Sequence, residues 1–125
     1  MNAEHEAHLV ESYPILYSNY AGISTGDGWF VIVDTLSAEL EWLNRSGAVR
    51  ITYAGSKEKF GTLRYIVVAD VLADDFPISM VWALTDSAET LSASTCEECG
   101  EYGSARPGGW VRTLCRRCHE ELLDR

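Results

Sequence analysis

Four cysteines near the end of the 125-residue chain are the residues whose type and spacing most clearly imply chemistry. They form two Cys-x₂-Cys pairs with fifteen residues between the pairs. A tight turn at each pair can direct two thiolates at one ion, and two such turns complete the tetrahedral shell that Zn²⁺ prefers. The sequence therefore predicts a structural Zn²⁺ site whose ligands are Cys96, Cys99, Cys115 and Cys118.

Other uses of these cysteines are disulfides, a redox pair, or a site in which His119 replaces the adjacent Cys118. A catalytic zinc usually keeps one position for water, and four thiolates leave none. The acidic N-terminus lacks the basic start and apolar stretch of a signal peptide, so we expect a cytoplasmic protein. In that compartment thiols stay reduced, and paired cysteines favour a metal.

The elements that must position the cysteines follow from the flanking residues. Residues 114–123 predict a helix, and residues 103–113 predict a short hairpin that turns at Pro107-Gly108-Gly109. A knuckle, a hairpin and a helix that supplies two ligands is the layout of treble-clef fingers; a zinc ribbon, with both pairs on hairpin turns, is the alternative. We predict a small α+β domain over residues 1–95 and a zinc-finger unit over residues 96–125 packed on it. The reason is that Trp110 and Leu122-Leu123 need burial in a unit too small to cover them.

A helix is predicted after Asp27, which is placed to cap it, and Ser46-Gly47 ends it. Apolar residues recur on one face at three- and four-residue steps: Trp29, Ile32, Val33, Leu36, Leu40 and Leu43. A second stripe lies on the opposite side: Val31, Thr35, Ala38 and Trp42. Such a helix is either sandwiched between two layers or presents a partner or dimer surface centred on Trp42.

The rest of the N-terminal region predicts a β-hairpin and another helix. Residues 49–53 and 63–69 read as antiparallel strands joined by a loop over residues 55–61, and the second strand is apolar enough to lie inside a sheet or under a helix. A helix begins near Pro77, with Asp74 or Asp75 as its cap. The first dozen residues could form a short helix that ends at Pro14, and residues 13–17 are apolar enough to lie against the domain. The fold class is α+β, with two helices packed on a β-hairpin or small antiparallel sheet, followed by the finger.

Candidate chemistry outside the cysteines is sparse. His5 and His8 form a metal-capable pair if helical, although their terminal position favours an incidental arrangement. The chain has no Gly-rich phosphate loop, and His5, His8 and His119 do not supply a Ser/His/Asp arrangement. We therefore predict that the protein is not an enzyme.

Two further clusters are candidate contact sites for a partner. One is the turn Gly26–Trp29, with Asp27 and Trp29 as its contact residues. The other is the basic cluster Lys57, Lys59 and Arg64, which could meet an anion, an acidic protein surface or nucleic acid, or could be a solvated hairpin tip. The formal net charge of −9 lowers the expectation of nucleic-acid binding, because such a surface repels phosphates. No apolar run is long enough to span a bilayer, so no membrane partner is expected.

These motifs together resemble a family of small uncharacterised bacteriophage and bacterial proteins. The shared features are Tyr13-Pro14, the Gly26–Trp29 turn, the Lys57–Arg64 segment KEKFGTLR, and a C-terminal unit with Gly109-Trp110 and Thr113 between the cysteine pairs. Similar sequences often have Cys where Ser37 stands here. The resemblance covers nearly the whole chain and implies a phage or prophage setting, in the cytoplasm of a host cell, together with zinc.

The sequence thus predicts a non-enzymatic, zinc-stabilised accessory protein of a phage or mobile element that binds a protein partner, such as a host or defence component. The acidic charge and the Trp42 stripe favour a protein partner, and the stripe also allows a homodimer. The alternative is nucleic-acid binding through the finger, using the arginines together with the basic cluster: Arg106, Arg112, Arg116, Arg117, Lys57, Lys59 and Arg64. A small-ligand binder at the Gly26–Trp29 turn, or an enzyme, comes third.

Overall fold

The computed structural model describes residues 1–124 and confirms the α+β prediction. That part of the chain contains four α-helices and two antiparallel sheets of two strands each. In chain order the elements are α1 (Ala3–Ser12), a 3₁₀ turn (Asp27–Trp29), α2 (Phe30–Arg45), β1 (Val49–Lys59), β2 (Thr62–Val71), α3 (Ser79–Ser92), β3 (Ser104–Arg106), β4 (Arg112–Leu114) and α4 (Arg116–Leu123). Within residues 1–124, no helix combines the length and apolar character needed to cross a bilayer.

The β1–β2 hairpin is longer than its sequence indicates. We predicted a loop over residues 55–61, and this is wrong: β1 continues to Lys59, and only Phe60-Gly61 separates it from β2. Both turn residues have positive φ, 54° and 81°, which suits a two-residue turn whose twist matches that of the strands. The register shifts between Tyr53 and Gly55, where a bulge leaves Ala54 unpaired, and Gly55 continues the strand opposite Ile66.

Helix α2 packs on the β1–β2 hairpin and buries one of its own faces there. The predicted face is buried at Trp29, Val33, Leu36, Leu40 and Leu43 and packs in the main core with hairpin residues. The second stripe is not sandwiched. The side chains of Val31 and Trp42 are 72% and 71% exposed, because α3 packs beside α2 instead of on top of it.

Helix α3 packs along β2 and against α2. It begins at Ser79, beyond Pro77, and neither Asp74 nor Asp75 caps it, since the residue at the cap position, Ile78, makes no side-chain capping bond. The hydroxyl of Ser92 accepts a hydrogen bond of 2.8 Å from the Leu63 amide, which ties the end of α3 to β2. Because the sheet has only two strands, the later part of β2 is not enclosed, and Ile66 and Val68 are exposed.

The N-terminal segment is held to the domain by hydrogen bonds. As expected, residues 13–17 lie against it: Leu16 is buried, and its carbonyl accepts a 2.7 Å bond from the Tyr53 amide. Asp27 does not cap α2. Its carboxylate accepts a 2.6 Å bond from the Asn2 amide and lies 3.1 Å from Nδ1 of His5, so it fastens α1 instead.

Candidate metal centre

The first cysteine pair sits in a tight backbone turn, Cys96–Gly100, which we call the knuckle. The Gly100 amide donates to the Cys96 carbonyl at 2.9 Å, and the Cys96 amide donates to the Glu101 carbonyl at 2.7 Å. Gly100 has a φ of 84°, a conformation that residues with a side chain rarely adopt. The turn therefore needs glycine after the pair and brings both sulfur atoms to one side.

The second pair lies at the start of α4. Cys115 occupies the cap position, and its sulfur accepts a 3.4 Å bond from the Cys118 amide in the first turn. The short β3–β4 hairpin lies between the pairs. Knuckle, hairpin and ligand-bearing helix follow the treble-clef order; in a ribbon both pairs would lie on hairpin turns.

The four cysteines converge on one point. Their sulfur atoms all lie within 4.8 Å of one another, and those of Cys99 and Cys115 are 3.6 Å apart. A tetrahedral site with Zn–S bonds of about 2.3 Å places its sulfurs about 3.8 Å apart. The arrangement therefore fits a single metal ion, and His119 lies outside the cluster.

The electrostatics of the thiols also favour a cation. The Cys118 amide hydrogen bond lowers the pKa of Cys115 to about 7, whereas burial raises the pKa of Cys118 to about 12. Four adjacent thiols cannot all ionise without a compensating charge, and a bound divalent cation deprotonates coordinating thiols. Contacts with the sulfurs of Cys99 and Cys118 raise the pKa of Arg117, which adds a positive charge beside the site.

The knuckle rests on the Gly26–Trp29 turn. The Gly28 amide donates to the Glu97 carbonyl at 2.7 Å, and the Gly26 amide donates to the Glu97 carboxylate at 3.1 Å. A Cβ on Gly26 would lie 2.5 Å from the Glu97 carbonyl oxygen, and one on Gly28 would collide with the Cys96 carbonyl. Both glycines are thus required by the close approach of two backbones.

Trp29 belongs to the same contact and is not available to a partner. Its side chain is fully buried, and Nε1 donates to the Thr95 carbonyl at 2.8 Å. The prediction that Trp29 contacts a partner is therefore wrong, because the first turn of the α2 region faces the core. Asp27 keeps an exposed carboxylate edge but already accepts from Asn2.

Glu97 is a buried carboxylate at this contact. Burial raises its pKa, while the Gly26 amide and the Arg112 charge oppose that rise. Arg112 lies 3.7 Å from Glu97 and 2.8 Å from Glu98. The contacts of Arg112 with Glu97 and Glu98 therefore hold β4 against the knuckle.

A second contact joins the cysteine unit (residues 96–124) to the tip of the β1–β2 hairpin. The Thr113 hydroxyl donates to the Gly61 carbonyl at 2.5 Å, and Nε1 of Trp110 donates to the Glu58 carboxylate at 2.8 Å. Trp110 and Leu123 remain exposed, so hydrogen bonds and close backbone approach make the attachment, and not the apolar burial we expected. The domain boundary at residue 95 stays a prediction.

The basic cluster shares one face of the hairpin. Lys57 lies opposite Arg64 in the register, and Lys57 and Lys59 are exposed. Arg64 pairs with Glu89 at 3.2 Å. Of the finger arginines, Arg112 pairs with Glu98, as above, and Arg116 pairs with Glu120 at 3.1 Å.

Sequence reasoning missed the α3 side of the surface around Trp42. A groove of about 420 Å³ between the two helices is lined by Ala38, Glu39, Trp42, Leu43, Met80 and Leu84. Met80 and Leu84 belong to a stripe with Ser87 and Leu91 at steps of four, three and four residues. That spacing could have revealed the second wall, because it repeats the pattern of the α2 stripe.

Searches against protein-family models, curated proteins and solved structures found no match to this chain.

Proposed function

We propose that this is a non-enzymatic binding protein in which a structural zinc ion orders the C-terminal unit and the surface around Trp42 contacts a protein partner. The setting that the sequence resemblance implies, an accessory role for a phage or mobile element in the host cytoplasm, is part of this proposal. The observation that carries it is the exposure of Trp42, 71%, beside an apolar groove.

Trp42 makes no contact in the core that would require a tryptophan at this position. The opposite face of α2 already contributes four buried residues to the core, Val33, Leu36, Leu40 and Leu43, and Trp42 lies outside that core. An exposed tryptophan next to apolar neighbours is the residue type most often found as an interface hot spot. A partner surface is therefore the reading that best explains the residue.

The cysteine cluster and the histidines support a structural role for the metal. Four sulfur ligands close the zinc shell and leave no position for a reacting water. Two of the histidines take part in helix packing: Nδ1 of His5 lies 3.1 Å from Asp27, and Nε2 of His8 lies 2.9 Å from Asp34. The Gly26–Trp29 turn holds the backbone of Glu97, so it offers no space for the small ligand considered above.

Nucleic-acid binding is the second candidate. Two exposed rings favour it: Phe60 at the tip of the β1–β2 hairpin and Trp110 in the connection between β3 and β4. Each lies 5.8 Å from a basic group, Lys59 and Arg112 respectively. Exposed aromatics with cations can stack on single-stranded bases. The ion pairs of Arg64, Arg112 and Arg116 weigh against it, as does the net charge of −9.

The test compares a Trp42→Ala variant with a Trp110→Ala control, each immobilised in zinc-loaded form and exposed to a host lysate. We expect the wild type and the control to retain the same protein and Trp42→Ala to lose it, with zinc content unchanged. Shift assays with single- and double-stranded DNA and RNA at about 150 mM salt run alongside. Retention of the partner by Trp42→Ala would overturn the proposal, and a nucleic-acid shift that Lys59→Ala abolishes would then favour the second candidate.

A further inference from the structure

The groove beside Trp42 continues along the whole length of α2 and α3. The cavity of about 420 Å³ adjoins a second one of about 200 Å³, and Glu39 and Leu84 line both. The first cavity lies between Trp42 and Met80, and the second reaches Val31 and Leu91. The helices therefore run antiparallel, and the two cavities form one open groove between them, which we call the α2–α3 groove.

The dimensions of the α2–α3 groove suit a helix. Trp42 comes eleven positions after Val31, so the groove is about 16 Å long at the α-helical rise of about 1.5 Å per residue. That length accommodates about three helical turns. Helices that bind in such grooves place apolar side chains at i, i+3, i+4 and i+7 against both walls. The apolar residues on the α2 and α3 walls of the groove are placed to contact side chains with this spacing.

The charged side chains of α2 and α3 indicate which residues the bound helix should carry beside its apolar stripe. The helices α2 and α3 carry five acidic side chains and one basic side chain, Arg45. Glu41 is buried, and Asp34 and Glu89 contact His8 and Arg64, so the acidic side chains open to an occupant are Glu39 and Asp86. Glu39 is exposed and lies in the groove wall, and Asp86 is exposed on α3. A helix with lysine or arginine beside its apolar stripe would gain attraction at this surface.

We propose that the α2–α3 groove binds a cationic amphipathic helix of the partner protein, with Trp42 and Leu84 as apolar contacts and Glu39 as the charge contact. This inference rests on the proposed function and names the chemistry of the partner. A second copy of the chain is disfavoured as occupant, because each copy carries a charge of −9 and this face holds almost no basic residues to offset it.

The experiment uses zinc-loaded full-length protein and three synthetic peptides of about 14 residues. The first places Leu at i, i+3, i+4 and i+7 with Lys elsewhere, the second replaces Lys with Glu, and the third scrambles the first at equal charge. Calorimetry should show the Leu/Lys helix binding at least about tenfold tighter than either other peptide. Trp42→Ala should weaken it about tenfold or more. Trp110→Ala should leave it unchanged, and Glu39→Lys should shift the preference toward the Leu/Glu helix.

Several outcomes would overturn this inference. Equal binding of the scrambled peptide would show attraction to the net charge alone, and unchanged binding by Trp42→Ala would place the peptide elsewhere. A concentration-dependent dimer that Trp42→Ala abolishes would make a second copy the occupant. If the lysate partner depends on Trp42 while the Leu/Lys helix does not bind, the partner chemistry is wrong and the proposed function stands. If Trp42→Ala retains the lysate partner, the proposed function itself fails.

Discussion

The backbone amide of Gly28 donates a 2.7 Å hydrogen bond to the carbonyl of Glu97, and this bond joins the turn before α2 to the knuckle that carries Cys96 and Cys99. The knuckle is thus attached through backbone atoms to the turn that precedes α2. We expect metal binding and the packing of the N-terminal domain to stabilise each other.

Gly28→Ala tests this attachment. The added methyl group would collide with the Cys96 carbonyl oxygen, and backbone atoms on both sides leave little freedom to move. Urea unfolding of the zinc-loaded protein should show a loss of about 3 kcal/mol. Gly109→Ala is the control, because nothing lies within 4 Å of a Cβ built there, and it should change stability by less than about 0.5 kcal/mol. Equal stability of the two variants would contradict the account.

Glu41 provides a second test, of the packing of the N-terminal segment. This carboxylate is 2% exposed and accepts hydrogen bonds from the amides of Ile15 and Leu16 and from the side chain of Asn44. In Glu41→Gln the NH₂ group would face one of these donors, so we expect a loss of about 2 kcal/mol in thermal or urea unfolding. Glu39→Gln, at an exposed position on the same helix, should be close to neutral. A neutral Glu41→Gln would show that the segment is held by other contacts.

The sequence was sufficient to predict the elements with strong local patterns. The cysteine spacing predicted that the four cysteines converge, and the three- and four-residue steps of Val33, Leu36 and Leu40 predicted the core face of α2. The sequence was insufficient where contacts between segments far apart in the chain decide the structure. Gly26 and Gly28 looked like an exposed turn because the backbone that meets them lies about 70 residues away. No local pattern marked Glu41 as buried, because its amide partners come from the segment before α2.

The side chain of Asp27 predicts a pH effect. The hydrogen bond from the Asn2 amide lowers the pKa of Asp27 below its usual value of 3.8. The folded state therefore favours the charged form, so this stabilisation is fully present above the ordinary pKa and is lost as the pH falls through the lowered one. The stability difference between wild type and Asp27→Asn should shrink as the pH falls below about 4, the ordinary range of an aspartate pKa. A difference that grows on acidification would contradict the assignment. Asp75→Asn, at an exposed site, is the control.

Metal stoichiometry, measured by native mass spectrometry with elemental analysis, tests most directly whether the four cysteines together hold one zinc ion: Cys96, Cys99, Cys115 and Cys118. Protein produced with zinc present should carry one zinc per chain. Cys99→Ser should lose it together with the fold of the cysteine unit, since structural zinc sites contribute on the order of 10 kcal/mol in finger peptides. His119→Ala should retain the zinc, because His119 lies outside the cluster. Wild-type protein that binds no metal, or that contains disulfides between these cysteines under reducing conditions, would contradict the account.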